Sequence, residues 1–180
     1  NYRDAYNIFA VNGILFNHES ERRGETFVTR KITLGAARIA KGTQKILYLG
    51  NLNAKRDWGY APDYVKSMWL MLQQDKPQDF VIGTGKQYTI RHFCELAFKQ
   101  VGINIQWIGE GIQETGICKK TNKTVVKVSS KYFRPSEVDS LLADPSKAIK
   151  KLGWNPNKTS IDIIVKNMIE KDIELINKNG

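Results

Sequence analysis

Between Asn17 and Thr33 the chain reads NHESERRGETFVTRKIT, a stretch that gathers an amide, an imidazole and the cations Arg22, Arg23, Arg30 and Lys31. Side chains of these types bind anions: a guanidinium meets a phosphate bidentately, an ammonium meets it as a point charge. Arg22 and Arg23 precede Gly24, so they are expected on a mobile loop with no obvious acidic partner. His18-Glu19 does not begin a helical zinc motif, because Arg22 stands where the second histidine of H-E-x-x-H would be. Cys94 and Cys118 lack C-x-x-C spacing and only two histidines exist to join them, which supports neither a disulfide framework nor a zinc site. Arg56 is followed by Asp57 and Trp58; pairing and packing would hold its guanidinium in a posture suited to phosphate oxygens. Pro135 restricts Arg134 to extended backbone, and Glu137 is an acceptor-only carboxylate.

The elements that would position these groups follow from the apolar pattern. Ile8 to Val11 and Ile14 to Phe16 read as a buried strand, placing Asn17 and His18 at its C-terminal end, where open parallel sheets bind ligands. Phe27, Ile32, Ala36 and Ile39 recur at helical spacing and predict a helix over Thr26 to Ala40, stopped by Gly42 and carrying Lys31. A strand over Ile46 to Leu49 puts Gly50 at a second strand end. Ala61 to Gln74 reads as a helix with Pro62 in its first turn and a core-facing stripe of Val65, Met68, Trp69 and Leu72.

Phe80 to Ile82 is the next strand. Gly83-Thr84-Gly85 fails the G-x-G-x-x-G pattern at Tyr88 and reads as a turn. A helix from Thr89 to Gln100, capped by Thr89 and closed by Gly102, leads to a strand over Asn104 to Ile108. Gly109 to Ser130 reads as an excursion with a hairpin, burying only Val125, Val126 and Val128. Asp144-Pro145 opens a short helix ending at Gly153, and Thr159-x-x-Asp162 is a capping box for the last helix, through about Leu175. Strands alternating with helices give an α/β architecture.

With 180 residues and 41% hydrophobic content, the chain is long enough for one core. No apolar run approaches the roughly 20 residues of a membrane span, so no membrane association is expected, and the cytoplasm is the default location. The net charge of +10 attracts anionic small molecules or polyanions. A basic nucleic-acid-binding module is therefore the rival reading. Against it, Trp58, Trp69 and Trp154 stand in turn or helix contexts that suit packing, and no RRM, KH or zinc-knuckle signature is present.

The stretches LFNHES, RRGETFVTRKI, RDWGYAPDYV, YFRPSEVDSLLADPSKA and KLGW, in this order, resemble the GDP-mannose 4,6-dehydratases of the extended short-chain dehydrogenase/reductase superfamily. DPSKAIKKLGW is shared by many nucleotide-sugar epimerases and dehydratases, so an epimerase or reductase of that superfamily is a further alternative. The resemblance implies the C-terminal portion of that fold, namely the end of a Rossmann sheet plus a small α/β substrate domain. No glycine-rich fingerprint and no Tyr-x-x-x-Lys occurs, which implies that residues 1–180 are the substrate-binding region with the Rossmann half absent.

For the site, the resemblance implies GDP-mannose contacts from Asn17, Lys31, Gly50, Arg56, Arg134 and Glu137, the last two at the diphosphate or ribose region and the ribose hydroxyls. It implies NADP contacts from His18, Arg22 and Arg23, and no catalytic residue. The Arg22-Arg23 loop crosses to a neighbouring subunit in related enzymes, implying a homodimer or homotetramer. Glu21 stands where that loop would have proline.

Overall fold

A computed structural model of the protein describes residues 1–133 and 138–179, side chains excepted at 179. In chain order it contains α1 (Tyr2–Tyr6), β1 (Gly13–Leu15), β2 (Asn17–Glu19), α2 (Val28–Ala40), β3 (Leu47–Leu49), β4 (Lys55–Arg56), β5 (Trp58–Tyr60) and α3 (Ala61–Leu72). There follow β6 (Phe80–Ile82), β7 (Tyr88–Thr89), α4 (Ile90–Gln100), β8 (Ile105–Ile108), β9 (Thr115–Cys118), β10 (Thr124–Val128), β11 (Ser140–Leu141), α5 (Ser146–Leu152) and α6 (Ile161–Asn179).

Parallel pairing joins β1 to β6, with Gly13 opposite Phe80, and β2 to β5, with Asn17 opposite Trp58. The connection from β5 to β6 runs through α3. A four-stranded sheet runs β3-β10-β9-β8, and a small sheet of order β11-β4-β7 carries Arg56. The excursion after Gly109 is thus the β9-β10 hairpin, and it forms the middle of the largest sheet rather than an appendage.

Two apolar clusters hold these layers. Ile32 and Ala36 of α2, Leu47 and Leu49 of β3, Phe93 and Phe98 of α4, Val126 of β10 and Ile164, Val165 and Met168 of α6 form the larger. Each fully buried side chain of this kind contributes about 1.5–3 kcal/mol. The smaller cluster joins Tyr64 and Met71 of α3, Phe80 and Ile82 of β6, and Ala148, Leu152 and Trp154 at and beyond α5. Local signals are realised where they are strongest: the Thr89 hydroxyl accepts the His92 N–H at 3.0 Å and caps α4, and the Asp144 carboxylate accepts from the Ser146 N–H at the start of α5.

Four expectations need correction. The run Ile8 to Phe16 is not a buried strand: only Gly13–Leu15 is extended in a ladder, and Ile8, Phe9 and Ile14 are exposed because, among the described residues, β1 pairs with β6 alone. On α3 the apolar stripe faces outward, with Val65, Met68, Trp69 and Leu72 all exposed, while Tyr64, Ser67 and Met71 are the buried face. Trp69 is therefore not a core residue, whereas Trp58 and Trp154 are. Phe27 lies outside its helix at the N-cap and is exposed. The last helix is capped one residue late, by the Ser160 hydroxyl accepting from Ile163 N–H, and it continues to Asn179.

Candidate functional site

An open cleft of about 690 Å³ lies between the start of α2, the end of β3 and β4, lined among others by Asn17, Lys31, Gly50, Asn51, Arg56 and Tyr132. That volume suits a small-molecule ligand. Among the described residues, Lys31, Arg56 and Lys131 line it against a single carboxylate, Glu25, so their field favours an anion.

Each lining group is placed by its neighbours. Asn17 opens β2 and pairs opposite Trp58. Lys31 is half-buried on the first turns of α2, its Nζ 3.4 Å from the centre of the Tyr132 ring. Burial lowers its ammonium from the ordinary value, and Tyr132 opposes that shift. Gly50 is needed where it stands: a Cβ there would lie 2.1 Å from the Tyr132 carbonyl oxygen, so only glycine lets the segment bearing Tyr132 close over β3. Arg56 donates from Nη1 to the carbonyls of Lys55 at 2.8 Å and Val138 at 2.6 Å. Its neighbour Asp57 is buried and turned inward, accepting from Thr84 N–H, the Thr84 hydroxyl, Gly85 N–H and Ala143 N–H at 2.6–3.3 Å.

The cleft thus unites four of the expected substrate contacts, Asn17, Lys31, Gly50 and Arg56. Arg134 and Glu137 lie outside the described residues. His18 and Arg22-Arg23 do not line the cleft. The His18 Nδ1 is 2.8 Å from the Phe16 carbonyl, which accepts only, so that nitrogen carries the proton; the ring also packs against Tyr64. Arg22 is exposed. Arg23 corrects the expectation of an unpartnered cation: its Nε is 3.2 Å from the buried Glu19 carboxylate, and its guanidinium lies 3.6 Å over the Phe27 ring.

Three residues organise this loop, a role that was assigned to none of them from the sequence alone. Glu19 accepts the Thr29 hydroxyl at 2.6 Å. Burial pushes its carboxyl upward, with Thr29 and Arg23 opposing. Arg30 donates to the Glu21 carbonyl and lies 2.7 Å from Asp172 of α6, both side chains almost fully buried. Glu19 and Arg30 were visible as charges in a polar stretch, but nothing local marks Asp172 as the partner of Arg30.

Burial pushes the Asp172 carboxyl from 3.8 to about 6, opposed by the Thr33 hydroxyl and Arg30. Between those values the folded state keeps a proton that the unfolded chain has lost. Stabilisation from this group is therefore complete below the unfolded value and lost as pH rises through about 6. In urea melts from pH 4 to 7, the stability of wild type relative to Asp172→Asn should fall with rising pH. A pH-independent difference would show that Asp172 does not titrate there.

The family model for GDP-mannose 4,6 dehydratase matches residues 1–168. This chain belongs to that family. It is 61% identical over its whole length to the GDP-mannose 4,6 dehydratase of Dictyostelium discoideum, covering 50% of that protein, and 53% identical over 99% of its length to the human GDP-mannose 4,6 dehydratase, covering 48%. The chain spans about half the length of these curated relatives. Among solved structures, the RMD of Pseudomonas aeruginosa complexed with NADPH superposes with a TM-score of 0.79 at 15% identity, over 97% of this chain and 51% of that one. The mixed α/β fold is thus shared with that structure. Within the GDP-mannose 4,6-dehydratase family, the stretches quoted from the sequence now have places: NHE is β2, RDWGY runs through β4 and β5, and TFVTRK enters α2 along the cleft. Among the described residues no group of histidine, cysteine and carboxylate side chains could hold a metal, and no helix is long and apolar enough to cross a membrane.

Proposed function

We propose that this chain is the nucleotide-sugar-binding half of an NADP-dependent GDP-mannose 4,6-dehydratase, which forms GDP-4-keto-6-deoxy-D-mannose. The observation that carries the reading is the cationic cleft that unites Asn17, Lys31, Gly50 and Arg56. In it, Lys31 and Arg56 hold the diphosphate, and the Asn17 amide meets hydroxyls of the nucleotide-sugar. Arg134 and Glu137 keep the diphosphate and ribose roles that the resemblance implies.

The dinucleotide fits this chain only at its margin. The exposed Arg22 suits a phosphate, and His18, protonated at Nδ1 by its contact with Phe16, presents Nε2 as an acceptor when neutral. Arg23 already faces Glu19, and no glycine-rich phosphate cradle occurs in the sequence. When bound, by Arg22 and His18, NADP would supply the acceptor and later the donor of a hydride for the sugar, in a conversion that also eliminates water from it. This chain's own part is to bind and orient the substrate.

The exposed stripe on α3 and the single pairing of β1 support a working enzyme with further structure against this face. We place the enzyme in the cytoplasm, as a homodimer or homotetramer through the Arg22-Arg23 loop. Calorimetric titration should show binding of GDP-mannose in preference to UDP-glucose, with no keto sugar formed when NADP is added. Light scattering on the same samples, wild type against Arg22→Ala, tests the assembly. Equal affinity for the two nucleotide-sugars would sink the substrate assignment, turnover would sink the division of labour, and an unchanged mass would sink the role of the loop.

A further inference from the structure

Where α2 meets α6, three polar side chains are buried. Arg30, Thr33 and Asp172 are there, each at most 4% exposed. The Arg30 guanidinium faces both ways: Nη2 is 2.7 Å from Asp172 Oδ1, and Nη1 donates to the backbone carbonyl of Glu21, nine residues earlier. The Glu21 carboxylate in turn receives the Tyr60 hydroxyl of β5 at 3.2 Å. Upstream, Glu19 fixes Arg23 and Thr29. From these anchors the chain passes through Arg22 and Gly24 to Glu25, Thr26 and Phe27, which wall the cleft.

An ion pair in this setting adds little to stability. Taking both charges out of water offsets their attraction, and apolar residues of similar size often serve as well or better. The raised Asp172 carboxyl agrees, since burial there outweighs Arg30. What an apolar pair does not supply is a donor for the Glu21 carbonyl.

We infer that Asp172, acting through Arg30, is a positioning residue that holds the loop over residues 20–27 and thereby the wall of the cleft. The link from wall to ligand rests on the proposed binding of GDP-mannose; the link from Asp172 to the loop does not. The next residue after Arg30, Lys31, lines the cleft directly, so α2 carries one cation toward the ligand and one toward the helix that braces the loop.

The test replaces the pair without leaving a lone buried charge, as Arg30→Met/Asp172→Leu in the full chain, with Glu174→Gln on the exposed face of α6 as control. Trypsin reports on the loop through cleavage after Arg22 and Arg23, and on the rest of the fold through cleavage at the Lys119-Lys120 turn. A hydrogen bond from a charged donor corresponds to about tenfold or more in an opening equilibrium. The double variant should melt at or above the wild-type temperature, yet be cut after Arg22 and Arg23 about tenfold faster, with the Lys119-Lys120 rate unchanged. GDP-mannose should bind it several-fold more weakly. A folded variant whose Arg22-Arg23 site stays as protected as in wild type would overturn the inference. If the apolar pair does not fold, Asp172→Asn carries the same comparison of the two cleavage sites. Selective loss of loop protection in a chain that binds no GDP-mannose even as wild type would uphold the positioning role and refute the proposed function instead.

Discussion

Asp57→Ala should destabilise the chain by about 3 kcal/mol or more, the largest loss expected from any single substitution outside the apolar core. Its two carboxylate oxygens close a knot between distant segments: Oδ1 accepts from the Thr84 N–H and hydroxyl, and Oδ2 from the Gly85 and Ala143 N–H groups. These donors are buried or partly buried, so removing the acceptor leaves them without a partner in a region closed to water. The packing has no slack to compensate: a Cβ on Gly83 would lie 2.2 Å from the Ala143 Cβ. Asp57→Asn should recover little of the loss. Turning either oxygen into an amide NH₂ points it at a backbone N–H, which cannot accept. With a urea slope of about 2 kcal/mol per molar, the midpoint should drop by roughly 1.5 M in the alanine variant. An asparagine variant as stable as wild type would refute this account of the knot.

The second large effect is expected in binding rather than folding. Lys31→Ala and Arg56→Ala should each weaken GDP-mannose binding by about 1.5–3 kcal/mol, roughly tenfold to over a hundredfold. Both cations line the same cleft, and each is held before a ligand arrives, Lys31 over Tyr132 and Arg56 by the Lys55 and Val138 carbonyls. Preorganisation reduces the entropy lost on binding, and half-burial of Lys31 lessens screening. Raising the salt concentration should reduce wild-type affinity more than that of either variant. Calorimetry on the two single variants decides the point: wild-type dissociation constants in both would show that the diphosphate lies elsewhere.

The parts of the fold that were legible in the sequence share one property, short range. Thr89 caps α4 because a hydroxyl three residues from an N–H reaches it without help from the rest of the chain. Gly83-Thr84-Gly85 was readable as a turn for the same reason, and Pro62 stands in the first turn of α3. The cations of the cleft were legible as chemical types, and the ordered motifs as a family pattern, which the match over residues 1–168 bears out.

Orientation was a different matter. A stripe at helical spacing says that α3 has an apolar face, but Val65, Met68, Trp69 and Leu72 are exposed because burial depends on what packs against a face, and no described element covers this one. The same limit applies to charge. Arg22 and Arg23 are adjacent and chemically identical, yet the first is exposed while the second is folded onto Glu19 and Phe27. Arg30 and Lys31 are likewise neighbours, and the turn of the helix sends one to Asp172 and the other to the cleft. By itself, then, the sequence determined the helices with strong local caps, the stock of anion-binding groups and the family. Tertiary structure alone decided which cation lines the cleft and which meets a buried carboxylate, because those placements depend on residues such as Arg30 and Asp172 that are far apart in the chain and meet only after α6 has packed on α2.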